Sequence, residues 1–340
     1  MSRILNMGII GCGDFLQWME EPIKESKHIK TKSLFDLDRK KAEDYAAKLG
    51  GEVVSSSDDI LNDPEIEVVA LFVPPFVRAG LVKKCCEKGK HILATKPMGA
   101  QIADSEEMVG MIDDAGVKCG VIYRRTGDAF IETCKRVFDS GEIGNLAIYK
   151  QDWMHHYPQW NDWATDPEKN GGPFMDAMVH NLNIARYLMP GKANKTTFFS
   201  QNHTQKLKCN DTEFMKVEFE GGGSAYLFIT WAANLEVFSK EGNYREHIDI
   251  NYMISDKGFR IFERNEGDTT FVVASKEGKE ITWEVKPLEN TMFDEFALSV
   301  INNTPMSADI VDHITAYEDI KILRLAEKSN ARQITLELSR

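Results

Sequence analysis

The sequence predicts an α/β protein in two parts: a doubly wound parallel sheet over residues 1–123, then an α/β domain with a large, mostly antiparallel open sheet over 124–340. Three observations predict it. Up to Tyr123, short and continuously apolar runs alternate with helix-period stretches. Beyond it, strand-like segments follow one another through Gly-rich turns. A length of 340 residues also suits two domains of ordinary size, each able to bury a core.

In the first part, Ile4–Ile10, Thr31–Asp36, Val68–Val73, His91–Ala94 and Val117–Tyr123 read as strands. Their unbroken hydrophobicity suits strands covered on both faces, the parallel arrangement. The stretches Phe15–Ser26, Arg39–Leu49, Phe76–Lys88 and Ala103–Ala115 have helix composition, with Gly89 and Gly116 placed to end two of them. Strand–helix–strand alternation gives an open, doubly wound sheet. The second part begins with a helix over Gly127–Ser140 and a strand over Leu146–Met154. A polar loop and a helix over Asp176–Met189, stopped by Pro190, come next. Strands then follow at Thr196–Asn202, Glu213–Glu220, Ser224–Trp231, His247–Ser255, Phe259–Glu263, Thr269–Ala274 and Glu280–Val285. Helices Asn290–Asn302 and Ile310–Ser329 and a short strand Gln333–Leu336 complete the pattern.

Composition narrows the function classes. With 41 basic and 53 acidic side chains the net charge is −12 and no basic run exists, so a nucleic-acid partner is not expected. The longest apolar stretches, such as Val68–Pro75, fall well short of a membrane span, so no membrane association is expected. Six cysteines without a C-x-x-C pair or zinc-ligand spacing suit buried small hydrophobes in a reducing compartment. Met1–Asn6 runs straight into a strand, leaving no room for a secretory signal, so a cytoplasmic protein is expected.

Gly11-Cys12-Gly13 follows the first strand and opens a helix. The first glycine permits a tight turn, and the second lets backbone approach a pyrophosphate at a helix N-terminus. The third position of that pattern, usually Gly or Ala, is Leu16, which predicts looser helix–strand packing. Asp36 ends the next strand 23 residues after Gly13, close to the spacing expected of a carboxylate on an adenosine ribose. Such a carboxylate favours NAD and repels the 2′-phosphate of NADP, and Leu37 after it offers no phosphate ligand. NADP stays open because Arg39 is near enough in sequence to reach a phosphate.

Thr95-Lys96-Pro97 ends the strand His91–Ala94 at the edge where such sheets bind ligands. Lys96 is there either to stabilise an alkoxide or simply as a solvated surface cation. Val73-Pro74-Pro75 ends another strand at the same edge, lining the nicotinamide side or serving as turn punctuation. Asp176 and His180 stand four apart on one helix face, an arrangement that raises imidazole basicity for a general base. A helix-dipole acid beside a core histidine is the plainer alternative. Trp153, Tyr157, Trp160 and Trp163 crowd one polar loop. They suit stacking on a sugar or polyol, or else a loop or subunit contact anchored by its own aromatics. His155-His156 cannot chelate one metal from adjacent strand positions, and no metal site is expected. Arg124-Arg125 lies at the junction of the two parts, facing solvent or reaching the ligand cleft.

Taken in order, these elements resemble the Gfo/Idh/MocA family of glucose–fructose oxidoreductase, inositol dehydrogenase and their relatives. The matching residues are Gly8-Ile-Ile-Gly11-Cys-Gly13, Asp36, Val73-Pro74-Pro75, Gly89-Lys90-His91-Ile92-Leu93-Ala94-Thr95-Lys96-Pro97, Arg124-Arg125, Ser140-Gly141-Glu142-Ile143-Gly144 and Gly171-Gly172-Pro173-Phe174-Met175-Asp176-x-x-x-His180. The resemblance implies a Rossmann domain followed by a domain whose open sheet builds homodimers or homotetramers. It also implies catalysis by Lys96, Asp176 and His180. Gly11, Gly13, Asp14, Phe15, Asp36, Leu37, Val73, Pro74, Lys96 and Pro97 are then the candidate NAD or NADP ligands. Arg124, Trp153, Tyr157, Trp160, Trp163 and Asn183 are the candidates for a small polyhydroxylated substrate. The reaction expected is hydride transfer between a nicotinamide and a sugar, inositol or related polyol. Glycoside cleavage or epimerisation through transient oxidation, and non-catalytic NAD sensing, are the alternatives within the same fold. Three residues depart from the family pattern: Thr95 for a Glu, Arg78 for a His and Asn183 for an Asp.

Overall fold

The computed structural model describes residues 3–156, 162–233, 248–308, 310–332 and 336–337. The chain divides into two compact units, Met1–Gly127 with Leu288–Ile320, and Asp128–Pro287 with Lys321–Arg340. Two consecutive segments meeting at 123/124 were expected; by contacts, residues 288–320 group with the first unit. Residues 288–320 return to the first unit because Phe293, Phe296 and Ala297 are buried in its core beside Leu5, Met7, Ile9 and Leu34.

The first unit is built on a sheet of β1 (Leu5–Ile10), β2 (Ile29–Phe35), β3 (Glu52–Val53), β4 (Val68–Leu71), β5 (His91–Thr95), β6 (Cys119–Ile122) and β15 (Val311–Asp312), in the order β15-β6-β5-β4-β1-β2-β3. The first six strands pair in parallel and β15 closes the edge antiparallel to β6. Chain order reverses between β1 and β4, the switch point beside which such sheets bind ligands. Strands β4 and β6 are buried at every residue, as their unbroken apolar runs require.

Helices α1 (Glu20–Glu25), α2 (Arg39–Leu49), α3 (Ser57–Asn62), α4 (Pro75–Glu87) and α5 (Ile102–Ala115) connect these strands. The helix expected over Phe15–Ser26 is instead a 3₁₀ segment, Asp14–Trp18, followed by the short α1. Leu16 explains the break. In place of a small residue it is fully buried in the core, held by i→i+3 bonds from Leu16 N–H to Gly13 O and from Met19 N–H to Leu16 O.

The second unit holds β7 (Leu146–Met154), β8 (Ala193–Gln201), β9 (Thr212–Phe219), β10 (Ser224–Thr230), β11 (Ile248–Ser255), β12 (Arg260–Glu266), β13 (Thr269–Lys276), β14 (Lys279–Glu284) and β16 (Leu336–Glu337). They form one sheet, β14-β13-β12-β11-β7-β10-β9-β8-β16, in which only β7 and β10 pair in parallel among the described strands. Burial alternates along β9 and β10, so one face is a core face and the other is polar or aromatic. Helices α6 (Ala129–Asp139) and α7 (Val179–Leu188) pack on strands of this sheet. Two further helices are α8 (Met292–Ile301), in the first unit, and α9 (His313–Arg332), within which the chain passes to the second. No described helix is long and apolar enough to cross a membrane.

Candidate functional site

In the first unit the candidate residues stand at the carboxyl ends of β1, β2, β4 and β5. Gly11 has φ +98°, and a Cβ there would lie 2.4 Å from the Phe72 carbonyl oxygen, so conformation and space both demand glycine. Gly13 is different: a Cβ would meet nothing within 4 Å. No packing inside the protein explains the second glycine, whereas a phosphate lying against the backbone would use that open space. Asp14 is exposed in the first turn of the 3₁₀ segment, and Phe15 packs edge-on against Phe72 with ring centroids 5.1 Å apart.

Asp36 is fixed by both carboxylate oxygens. Oδ2 accepts from the Cys12 N–H at 2.7 Å and Oδ1 from the Asp38 N–H at 2.8 Å. The carboxylate is thereby held against the turn that carries the glycines, and the lone pairs left on each oxygen are available to a ribose diol. Leu37 is 97% exposed. Arg39 is exposed on α2, its Nε donating to Glu43 at 2.9 Å. The Cys12 thiol is pushed up to about 12 by burial and by the Asp36 charge, so it is no nucleophile. These features fit a dinucleotide with its ribose at Asp36 and its pyrophosphate at Gly13.

Val73 and Pro74 lead from β4 into α4, whose first residue is Pro75. The half-buried Lys96 follows β5, its N–H donating to Ile122 O at 3.3 Å, and the Lys96–Pro97 peptide is cis. Thr95, where the resemblance leads one to expect a Glu, is buried. Arg78 on α4 is completely buried and donates to the carbonyls of Val73, Pro97 and Met98. After β6, Arg124 is exposed while Arg125 is buried and donates to Ala308 O at 3.2 Å.

In the second unit, Asp176 and His180 are half-buried at the start of the helix expected from sequence. That helix opens as a π-turn over Phe174–Met178 before α7, a local geometry frequent at functional sites. Gly171 and Gly172 precede it with φ +103° and +109°. A Cβ on Gly171 would meet the Arg324 guanidinium at 2.9 Å, and one on Gly172 would meet Cys209 at 3.3 Å, so the Gly-Gly-Pro run is a wedge between two walls. The Asp176 N–H donates to Gly172 O at 2.9 Å, and the Phe174 N–H to Glu213 at 2.7 Å. Burial pushes the Glu213 carboxyl up to about 8.

Trp153 is half-buried with Nε1 donating to Asp249 at 3.1 Å, and its ring stands edge-on to His155. Trp163 lies in a 3₁₀ turn, Asp162–Thr165, and Asn183 is buried on α7. Tyr157 and Trp160 lie outside the described residues, as do His247 and Gln333 at the starts of two expected strands. His155 Nδ1 engages His156 O, and His156 Nδ1 engages Gln205, so the two rings have separate partners. No cluster of three or more metal-type ligands occurs among the described residues.

Sequence reasoning had no role for Glu213, and met Arg78 only as a departure from pattern. A glutamate at an inward position of an alternating strand, between Asp211 and Met215 on the same face, was the available signal for the first.

Comparison with known proteins agrees with this arrangement. Residues 5–123 match the model of an oxidoreductase family with an NAD-binding Rossmann fold, and residues 131–245 match the Gfo/Idh/MocA C-terminal domain. An uncharacterized oxidoreductase of Bacillus subtilis, YrbE, is 26% identical over 254 residues, covering 72% of this chain and 74% of that protein. The NAD⁺-dependent scyllo-inositol 2-dehydrogenase of the same organism is 32% identical over 150 residues, 44% of this chain and 43% of its own length. Among solved structures, the aldose-aldose oxidoreductase of Caulobacter crescentus complexed with glycerol superposes with a TM-score of 0.83 at 18% identity. It covers 99% of this chain and 100% of that one.

Proposed function

The chain belongs to the Gfo/Idh/MocA oxidoreductase family, and from that premise we propose that it oxidises or reduces a hydroxyl-bearing carbon of a sugar, inositol or related polyol. One observation carries the reading: the open space at Gly13 adjoins a carboxylate locked onto the Cys12 amide, and Lys96 follows the second strand along on the same sheet edge. NAD, when bound, supplies the carbon that takes up or returns hydride. His180 accepts or returns the hydroxyl proton, and Asp176 orients the imidazole or the substrate. Lys96 hydrogen-bonds the same oxygen and offsets the negative charge that develops on it. NAD is preferred over NADP because Asp36 repels a 2′-phosphate.

A polyhydroxylated substrate is supported by the activities named for the scyllo-inositol and aldose enzymes and by Trp153, Tyr157, Trp160 and Trp163, whose faces suit C–H stacking. Arg124 and Asn183 supply polar contacts in this reading. Phe199 and Ile250, 51% and 43% exposed on the second sheet, support assembly of a homodimer or homotetramer. Six free cysteines support a cytoplasmic place. The test is cofactor reduction by the purified protein across a panel of aldoses, polyols and inositols, with NAD and NADP. Lys96→Ala and His180→Ala should each lower turnover at least a hundredfold while NAD still binds. Wild-type turnover in both variants ends the mechanism.

A further inference from the structure

We infer that Arg78 is a positioning residue that holds the Lys96–Pro97 segment against the end of β4 and acts on turnover through Lys96. The inference rests on the assignment of Lys96 above. The guanidinium is 0% exposed and has no carboxylate partner among the described residues. Its Nη1 donates to Pro97 O and, at 3.0 Å, to Met98 O, while Nη2 donates to Val73 O at 2.7 Å. Its Nε is buried with no partner among the described residues.

Burying a cation without a counter-charge is costly, and an apolar side chain would avoid that cost. What no apolar residue supplies is a planar fork of donors in fixed directions. Here the fork spans two loops, the exit of β4 and the exit of β5, and satisfies three backbone carbonyls. Removing it leaves buried acceptors orphaned on both sides of the segment that carries Lys96. Burial lowers the pKa only to about 10, so the fork stays charged at neutral pH. Lysine places one nitrogen where three acceptors stand apart, so it can restore only part of the link.

The experiment compares Arg78→Met and Arg78→Lys, each alone and combined with Lys96→Ala. NAD affinity, turnover on the most active polyol of the panel above, and amide hydrogen exchange over residues 96–100 are measured. We expect Arg78→Met to lose at least tenfold in kcat with KM and NAD affinity within threefold of wild type, and Arg78→Lys to fall between. Exchange in 96–100 should quicken at least tenfold while the Gly11–Gly13 turn is unchanged. The double variants should be no more than twofold slower than Lys96→Ala alone, because the clamp has nothing left to position. Losses that multiply, unchanged kcat in Arg78→Met, or unchanged exchange overturn the role of Arg78. If the methionine variant does not fold, the lysine variant and its double decide by the same criteria. Wild-type turnover in Lys96→Ala overturns instead the assignment of the lysine itself, and this inference with it.

Discussion

Replacing Glu213 by Gln should remove the pH dependence of stability that a raised Glu213 pKa imposes on the fold between mild acid and pH 8. Glu213 projects from β9 into the core face, where Oε2 accepts the Phe174 N–H at 2.7 Å and Oε1 the Ser200 hydroxyl at 3.4 Å. Burial is the largest influence on its carboxyl, and the nearby Glu327 acts in the same direction. The Phe174 amide, the Ser200 hydroxyl and the Arg324 guanidinium oppose them, and the result is a pKa raised from 4.5 to about 8. The folded protein therefore holds a proton over that interval which the unfolded chain releases. Stability is fully present below about 4.5 and declines as pH climbs through 8. At ~1.4 kcal/mol per pH unit, the interval sets an upper limit of ~5 kcal/mol on the decline. Glutamine keeps an acceptor for the Phe174 amide, turns its own N–H₂ to the Ser200 oxygen, and cannot ionise. Urea unfolding of both proteins at pH 5, 6, 7 and 8 measures the effect, and the difference curve cancels the ionisable groups that do not interact with Glu213. A gap that shifts in favour of the variant by ~2 kcal/mol or more from pH 5 to 8 is expected. Parallel curves would show that Glu213 is ionised in the fold and would refute the reasoning.

Two further outcomes follow from carboxylates of the first unit. Asp36→Ala should narrow the preference for NAD over NADP at least tenfold in kcat/KM, since the charge facing the 2′ position is gone; an unchanged ratio in steady-state assays removes Asp36 from the ribose site. Asp294, buried on α8, accepts from Ser26 Oγ and the amides of Lys27 and His28 through Oδ1, and from Thr291 through Oδ2. Burial raises its pKa, but those hydrogen bonds outweigh it and the net shift is downward. Its contribution is thus present above the ordinary carboxylate range and lost as pH falls below it. Asp294→Asn should cost ~2–3 kcal/mol in denaturant unfolding at pH 7, with the deficit shrinking on acidification.

The parallel sheet was legible because burial on both faces leaves a mark that survives in one dimension: runs such as Val68–Leu71 have no polar side to present. Strand Leu146–Met154 and helix Arg39–Leu49 were equally plain, with Asp38 capping the helix through the Lys40 amide. Short elements left too little pattern. The two-residue β3 has no periodicity at all, although α3 carried a readable signal in the Ser56-x-x-Asp59 capping box. The return of α8 to the first sheet was invisible for another reason. Phe293, Phe296 and Ala297 announce a buried face, and nothing in their spacing says which core receives it. At the site, the glycines and Asp36 were legible as a spacing. The π-turn and the carbonyl partners of Arg78 were not, because each depends on which backbone groups three-dimensional packing leaves unsatisfied; Glu213 showed only as a carboxylate at an inward strand position.

Those unsatisfied groups connect the candidate residues into a single mechanical series along the sheet edge. Asp36, at the end of β2, grips the Cys12 amide in the turn after β1 at 2.7 Å. That turn also donates from Gly11 to Phe35 O at 2.9 Å, and its Cα sits so close to the Phe72 carbonyl that no Cβ fits. Phe72 begins the exit from β4, the next carbonyl, Val73 O, is held by Arg78 at 2.7 Å, and Arg78 holds Met98 O at 3.0 Å beyond β5. Each link is a hydrogen bond or a hard steric contact between neighbouring strand exits, the last made through Arg78 on α4, so Asp36 and Lys96, to which the proposed function gives the ribose and the reacting oxygen, are spaced by the fold itself. Preorganisation of this kind lowers the ordering left to be met when the reacting groups come together. It also explains why a buried, uncompensated guanidinium is tolerated at one point in the series: an apolar residue there would fill the volume and leave the last link open.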